Sequence, residues 1–369
     1  MYILKNKIGI FSILFSLLGS YIYLNMSNNH IRDRNEFALN EKSTTRAEIF
    51  DGVPISGNKF NEIQIIIKNL KNIDCKNKSV LWVGNSQQHT INNYSQGDHL
   101  SIYWLAKKLQ LNGFKQGCVI GISLPNINPQ EVLYLLRYLE NKGVIFSNLI
   151  YPLEFMGYRA SEIRSDVENA FKLDNTTKKT KQLNTSRVEL IEKSASLENI
   201  ITPAWLKTTD ALLDKRLSEY LSFWDNRLDI QSTFRMNLRL IRNKIFLISS
   251  STKRSSIPSR MHKNMAALSS TIDFLSEKNI NTFFYFVPIR PNKTFPYMVN
   301  DYSFWKSGLT KIVGGSKFSL SDLSNLVEEE YWGSNFANDI DFMHFGAQGH
   351  IILADKIFKE LMSLSSTQN

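Results

Sequence analysis

Between residues 80 and 150 the chain alternates short apolar runs with longer amphipathic segments, and this rhythm limits the possible folds more than any other feature. The run VLWV (80–83) stops at Gly84-Asn85-Ser86. HLSIYWLAKKLQL (99–111) then carries apolar residues at helical spacing and is followed by Gly113, a helix stop. A second run, VIGISL (119–124), leads into PQEVLYLLRYLEN (129–141), which starts on proline and has Gly143 just past its end. A third run, VIFSNLI, covers 144–150. Strands joined by helices through short connections run parallel and need helices on both faces. The expected fold is an α/β three-layer sandwich with a mainly parallel sheet.

The pattern is framed and interrupted. FNEIQIIIKNL (60–70) predicts a short helix ahead of the first strand. Residues 160–245 are mostly helical in composition, with a polar Thr/Lys/Asn stretch at 174–186 and long amphipathic segments over 211–245. This predicts a helical insertion, at about 160–260, that serves as a lid or packing element. The α/β pattern returns with a helix at 265–278, a strand TFFYFV (282–287) ending in PIRPN, a small unit at 319–326 and a C-terminal helix at 346–364. No internal repeat is present.

The first residues bear on the compartment. Lys5 and Lys7 precede an uncharged apolar run over residues 8–24, near the lower limit for crossing a bilayer. No small-x-small cleavage site follows, so a retained anchor is favoured over a cleaved signal. The two lysines favour an inside N-terminus, with the body outside the cytoplasm, although Arg32 and Arg34 flank the far side. The expected layout is an anchor (1–25), a polar linker (26–60) and one α/β domain with its insertion (61–369). With 43% hydrophobic residues a packed body is expected, not disorder. The net charge of +10 is spread along the chain without a zinc-finger or RNA-binding motif. An anionic polymer or membrane surface is therefore favoured as a partner over nucleic acid. Cys75 and Cys118 each precede an apolar run. If those runs are neighbouring parallel strands, the two thiols share one edge of the sheet and suit a disulfide outside the cytoplasm. The alternative is two unrelated small apolar residues.

Ser86 ends a strand and precedes helix-compatible sequence. In an open parallel sheet, ligands bind beyond the carboxyl ends of the strands. There a serine is either a nucleophile near helix N–H groups or an ordinary N-cap. A nucleophilic serine needs a base. His30 lies in the linker, His89 sits too near Ser86 along the chain, and His99 and His262 lie in surface-like contexts. His344 and His350 remain. Asp341 precedes His344 by three residues, a spacing that lets a carboxylate fix an imidazole's tautomer and orientation. His350 reads as packing or support.

Gly84-Asn85-Ser86 after the first strand and Asp341-Phe342-Met343-His344 before the last helix together resemble the SGNH (GDSL-type) hydrolase superfamily. The resemblance covers residues 78–150 and 265–364 and implies a flavodoxin-like sheet. It also implies Ser86 as nucleophile, His344 as general base and acid, Asp341 as orienting carboxylate, and an acyl-serine route that needs no metal or cofactor. The family's middle blocks are altered. No glycine lies within 124–128, where an oxyanion glycine follows strand two, and the Gly-x-Asn-Asp block after strand three is reduced to Asn148, followed by Leu149. Asn148 and Asn126 are the oxyanion candidates, with the Ser86 backbone N–H beside them; turn chemistry is the other reading of Asn126. The anchor, the insertion and FVPIRPN resemble the membrane-tethered branch that includes the teichoic-acid D-alanylation and alginate acetylation proteins. Arg290, after the TFFYFVP strand, is a candidate for binding an anionic group, or for a structural salt bridge. Two functions follow. One is an extracytoplasmic O-acyltransferase or esterase acting on a cell-envelope polymer. The other is a non-catalytic relative that binds a glycan or a membrane acyltransferase.

Overall fold

Runs such as VLWVG and VIGIS have no polar face, so they are stable as strands only when covered on both sides. The computed structural model describes residues 43–70, 73, 75, 78–144, 146–171, 252–334 and 340–366. The chain divides into two units, and every described residue falls in the unit made of 35–174 and 249–369. The expected anchor at 1–25 and most of the expected insertion lie outside the described residues.

The main sheet contains β1 (Ser56–Gly57), β2 (Val80–Gly84), β3 (Val119–Ser123), β4 (Asn148–Leu153), β5 (Asn281–Phe286) and β6 (Ser319–Asp322), all parallel, in the spatial order β6-β5-β4-β2-β3-β1. Without the two-residue edge β1, this is the flavodoxin-like order, in which the chain reverses direction across the sheet between β2 and β4. Side chains alternate between two cores. Leu81, Val83, Ile120 and Ile122 face α1 (Phe60–Leu70), α3 (Pro129–Asn141), α5 (Pro258–Glu277) and α6 (Val299–Gly314). Val80, Trp82, Val119 and Tyr285 face α2 (Ser101–Leu111) and α7 (Ala347–Ser366). The three-layer α/β sandwich is therefore present. α4 (Ser165–Ala170) is the last helix before the undescribed middle.

Three local expectations shift. Residues 43–57, placed in the linker by their polarity, belong to the fold: Ser56–Gly57 adds to the β3 edge, and the Thr44–Thr45 strand pairs with Thr90–Ile91. The third strand begins at Asn148, not at Val144, because Gly143 (φ +71°) lies just past the end of α3 and the Val144 N–H still bonds back to the Leu139 carbonyl of that helix. Residues 319–322 are the outer strand of the same sheet, not a separate unit. Cys75 and Cys118 form a disulfide at the amino edge, ahead of β2 and β3.

Candidate active site

β2 and β4 stay paired only as far as Trp82↔Ile150. Beyond that point the sheet opens, at the place where its strand order reverses. Ser86 stands there, partly exposed, as the first residue of a three-residue 3-10 turn, Ser86–Gln88. The helix expected after it does not form; after the turn the chain enters the short strand Thr90–Ile91. Nor is Ser86 the cap. Asn85 takes that role, its side-chain oxygen accepting from the Gln87 N–H at 3.0 Å. Gly84 is required because a Cβ there would fall 1.8 Å from Oε1 of Gln88, a buried side chain that donates to the Tyr285 hydroxyl.

Asp341 and His344 lie on β8 (Ile340–Phe345), which pairs antiparallel with β7 (Trp332–Ser334) just before α7. Gln87 binds this strand to the serine turn, donating through Nε2 to the carbonyls of Met343 (2.8 Å) and Pro288 (2.9 Å). Ser86 Oγ is 2.9 Å from His344 Nε2, and His344 Nδ1 is 2.9 Å from Asp341 Oδ2. An ionised carboxylate only accepts, so Nδ1 carries the proton toward Asp341 and Nε2 is left to accept from the serine hydroxyl.

Asp341 is buried and receives four donors. Oδ1 accepts from the N–H groups of Met343 and His344, and Oδ2 accepts from His344 and from Asn92 Nδ2. Burial alone would raise its pKa, but the His344 charge and these hydrogen bonds outweigh it and hold the carboxyl below its ordinary range. Burial acts on His344 in the opposite sense, toward a lower pKa. The Asp341 charge and hydrogen bond, helped by Glu154, overcome it and raise the imidazole above its usual value. Together these groups form a serine hydrogen-bonded to a base that a carboxylate orients.

Of the oxyanion candidates, Asn148 stands beside Val80 at the amino end of the sheet, the edge opposite Ser86, where its amide donates to Ser79 and Ser147. It is removed from this role because the strand begins, and does not end, at that residue. Asn126 is exposed with φ +52°, the left-handed turn position that asparagine tolerates. The Leu124 N–H already donates to the Gly84 carbonyl. The Ser86 N–H has no partner among the described residues and remains the available donor. Arg290 donates through Nη1 to the Gly333 carbonyl at 2.6 Å, so it braces β7, the strand paired with β8. His350 is buried and structural, donating to the Thr90 carbonyl and accepting at Nδ1 from Ser101. His89 is buried against Ser123, and burial pushes its pKa down to about 3. Among the described residues no group of three His, Cys, Asp or Glu side chains is placed to hold a metal ion.

Sequence reasoning missed Glu154 and Asn92. Glu154 follows β4 directly and accepts from Asn85 Nδ2, one residue from the serine. Burial pushes its pKa up to about 7, against the lowering pull of Asn85 and His344. An acidic residue closing an apolar strand was the available signal, but placing that strand at 144–150 hid it. With Gly84, Asn85, Tyr151 and Tyr158, Glu154 lines a cavity of about 20 Å³, room for one water-sized group.

No protein-family model matches the chain, and no curated protein matches it in sequence. Among solved structures, the crystal structure of a GDSL-like lipase from Bacteroides thetaiotaomicron covers 83% of this chain and 100% of its own, at 10% identity and a TM-score of 0.37. So low a similarity carries no weight in assigning the site.

Proposed function

We propose that this chain is a serine-dependent acyl-handling enzyme, an O-acyltransferase or esterase, held outside the cytoplasm by residues 8–24 and acting on a cell-envelope polymer. The observation that carries the chemistry is the unbroken Ser86–His344–Asp341 chain of hydrogen bonds, 2.9 Å at each step. In this reading Ser86 Oγ attacks an ester carbonyl as His344 Nε2 takes its proton. The resulting imidazolium is stabilised by Asp341, and the oxyanion by the Ser86 N–H. His344 returns the proton to the leaving alcohol, and water or an acceptor hydroxyl then resolves the acyl-serine with the same base. The disulfide and the net charge of +10 support the placement and the anionic polymer respectively.

The test is covalent labelling of the purified chain with a fluorophosphonate, together with ester turnover. Ser86 is expected to label, and Ser86→Ala to lower kcat/KM by at least about 10⁴-fold. Folded protein that leaves Ser86 unlabelled would sink this reading. One observation favours a second reading, that of a non-catalytic binding or accessory protein that partners a membrane acyltransferase: Asn148, one of the two asparagines expected at the oxyanion, lies at the opposite end of the sheet from Ser86. In that case Ser86→Ala would complement a deletion strain as well as the wild type does.

A further inference from the structure

Three arginines lie close together on the α1/α3/α5/α6 side of the sheet. Arg159 ends the 3-10 segment Phe155–Arg159 that follows Glu154, Arg254 lies at a short bridge to Tyr297, and Arg260 stands in the first turn of α5. These three arginines converge, with Arg260 Nη1 donating to the Arg159 carbonyl at 3.2 Å. No carboxylate among the described residues forms an ion pair with any of them. Arg159 Nε and Arg254 Nη1 are buried with no hydrogen-bond partner. Burial and the neighbouring Arg254 charge, opposed by Tyr297 and reinforced by Arg260, hold Arg159 below its ordinary pKa.

Leaving buried guanidinium nitrogens without acceptors costs free energy, and bringing cations together adds to that cost. The amino end of α5 adds positive potential. It has no acidic residue in its first turn and no side-chain cap, and Arg260 stands where the helix dipole disfavours a cation; the Asp301 carboxylate accepts from the Ser256 N–H just ahead of it but pairs with none of the three arginines. Aromatic side chains link the cluster to β8, the strand that carries Asp341 and His344. The Arg254 guanidinium lies 4.7 Å from the centre of the Phe342 ring, next to Asp341 in sequence, and Tyr297 packs against both Phe342 and Phe155.

We propose that Arg159, Arg254 and Arg260, at the amino end of α5, form a binding site for an anionic group, phosphate or carboxylate, of the molecule on which Ser86 acts. The site deepens the functional reading and rests on it only for the identity of that molecule. Guanidinium forks suit either oxyanion through paired charge-assisted hydrogen bonds.

The test uses the full chain at low ionic strength. Inorganic phosphate and malonate are titrated by calorimetry against wild type, Arg159→Gln, Arg254→Gln and Arg254→Lys, with circular dichroism melts to confirm folding. At least one anion is expected to bind at a single saturable site, and which one binds tells phosphate from carboxylate. Each Gln variant is expected to weaken binding about tenfold, and Lys to retain part of it. A kinetic arm compares an acetylated sugar phosphate, an acetylated uronic acid and an uncharged acetylated sugar. The preference for the matching anionic ester is expected to fall about tenfold in Arg254→Gln, through KM. If esters are turned over but neither anion binds, or binding is the same in all variants, the anion site is overturned and the serine reading stands. If an anion binds and the Gln variants lose it while no ester is turned over, the anion site stands and the serine reading falls.

Discussion

At the scale of single residues, the hydrogen-bonded triad and Glu154 make opposite demands on pH. His344 must be neutral to accept a proton, and Asp341 raises its pKa, so kcat/KM should fall on the acid side at a pH above the ordinary histidine value. In Asp341→Asn the raising charge disappears while burial, which lowers the pKa, remains. The acid limb should then move to lower pH, with kcat reduced by roughly 10⁴-fold because the imidazole is no longer held in the right tautomer. A pH–rate profile checks both; an unmoved limb would show that Asp341 does not act on His344. Glu154 is an acid whose pKa is raised on folding, from 4.5 to about 7. The folded state therefore holds its proton more tightly than the unfolded chain. Stability is lost as pH rises between these values, by about 3 kcal/mol in full above pH 7. Glu154→Gln keeps an acceptor for Asn85 and removes that loss. Its stability relative to wild type in urea should increase from pH 5 to pH 8 by an amount on the order of 3 kcal/mol. Equal shifts at the two pH values would show that Glu154 is not titrating there. The serine, the histidine and the aspartate were legible in the sequence because each sits in a short local pattern. Glu154 and Asn92 were not, because each meets its partner across 69 and 249 residues of chain, and only the folded arrangement of strands and turns brings them together.

At the scale of elements, the strand–helix alternation was readable because the parallel strands, buried on both faces, are uninterrupted apolar runs closed by glycine and proline signals. What failed were ends of elements. The VIFSNLI segment is mostly apolar, so its composition does not show that Val144 is still tied back to α3. That four-residue shift carried Asn148 from the expected catalytic edge to the opposite one. The sequence after Ser86 reads as helical by default, since it lacks glycine and proline. Its side chains instead go to tertiary partners, Gln87 to Met343 and Gln88 to Tyr285, and only a 3-10 turn survives. The disulfide joins the segments ahead of β2 and β3 across a sequence separation of 43. A closed loop of that length restricts the unfolded chain enough to add about 4 kcal/mol in the chain-entropy model, and 2–4 kcal/mol is typical. The bond lies at the amino edge, away from Ser86. The double variant Cys75→Ser/Cys118→Ser should therefore unfold at lower denaturant, by about 2–4 kcal/mol, with kcat/KM of the folded fraction kept. Loss of turnover in protein that remains folded would contradict this separation of the two edges.

At the scale of the whole molecule, one edge of the sheet carries Ser86 and the residues hydrogen-bonded to it and the other is stapled by the disulfide, and the staple bears on where the protein works. Among the described residues no helix is long and apolar enough to cross a membrane, while the apolar run at 8–24 lies outside them. The compartment is therefore best approached through the cysteines. Cytosolic glutathione and thioredoxin keep thiols reduced, whereas a pair exposed to an oxidising compartment persists as a disulfide. If Lys5 and Lys7 hold the N-terminus inside, everything after the run lies outside, and Cys75 and Cys118 are oxidised in the living cell. Cells producing the full chain, quenched in acid and treated with a maleimide, should show neither cysteine modified until a reductant is added, and the protein should pellet with the membranes. A pair already reduced in freshly quenched cells would overturn the outside placement. It would also remove the reason to seek the substrate among envelope polymers, because the proposed anion-binding arginine cluster would then face cytosolic phosphates and carboxylates instead.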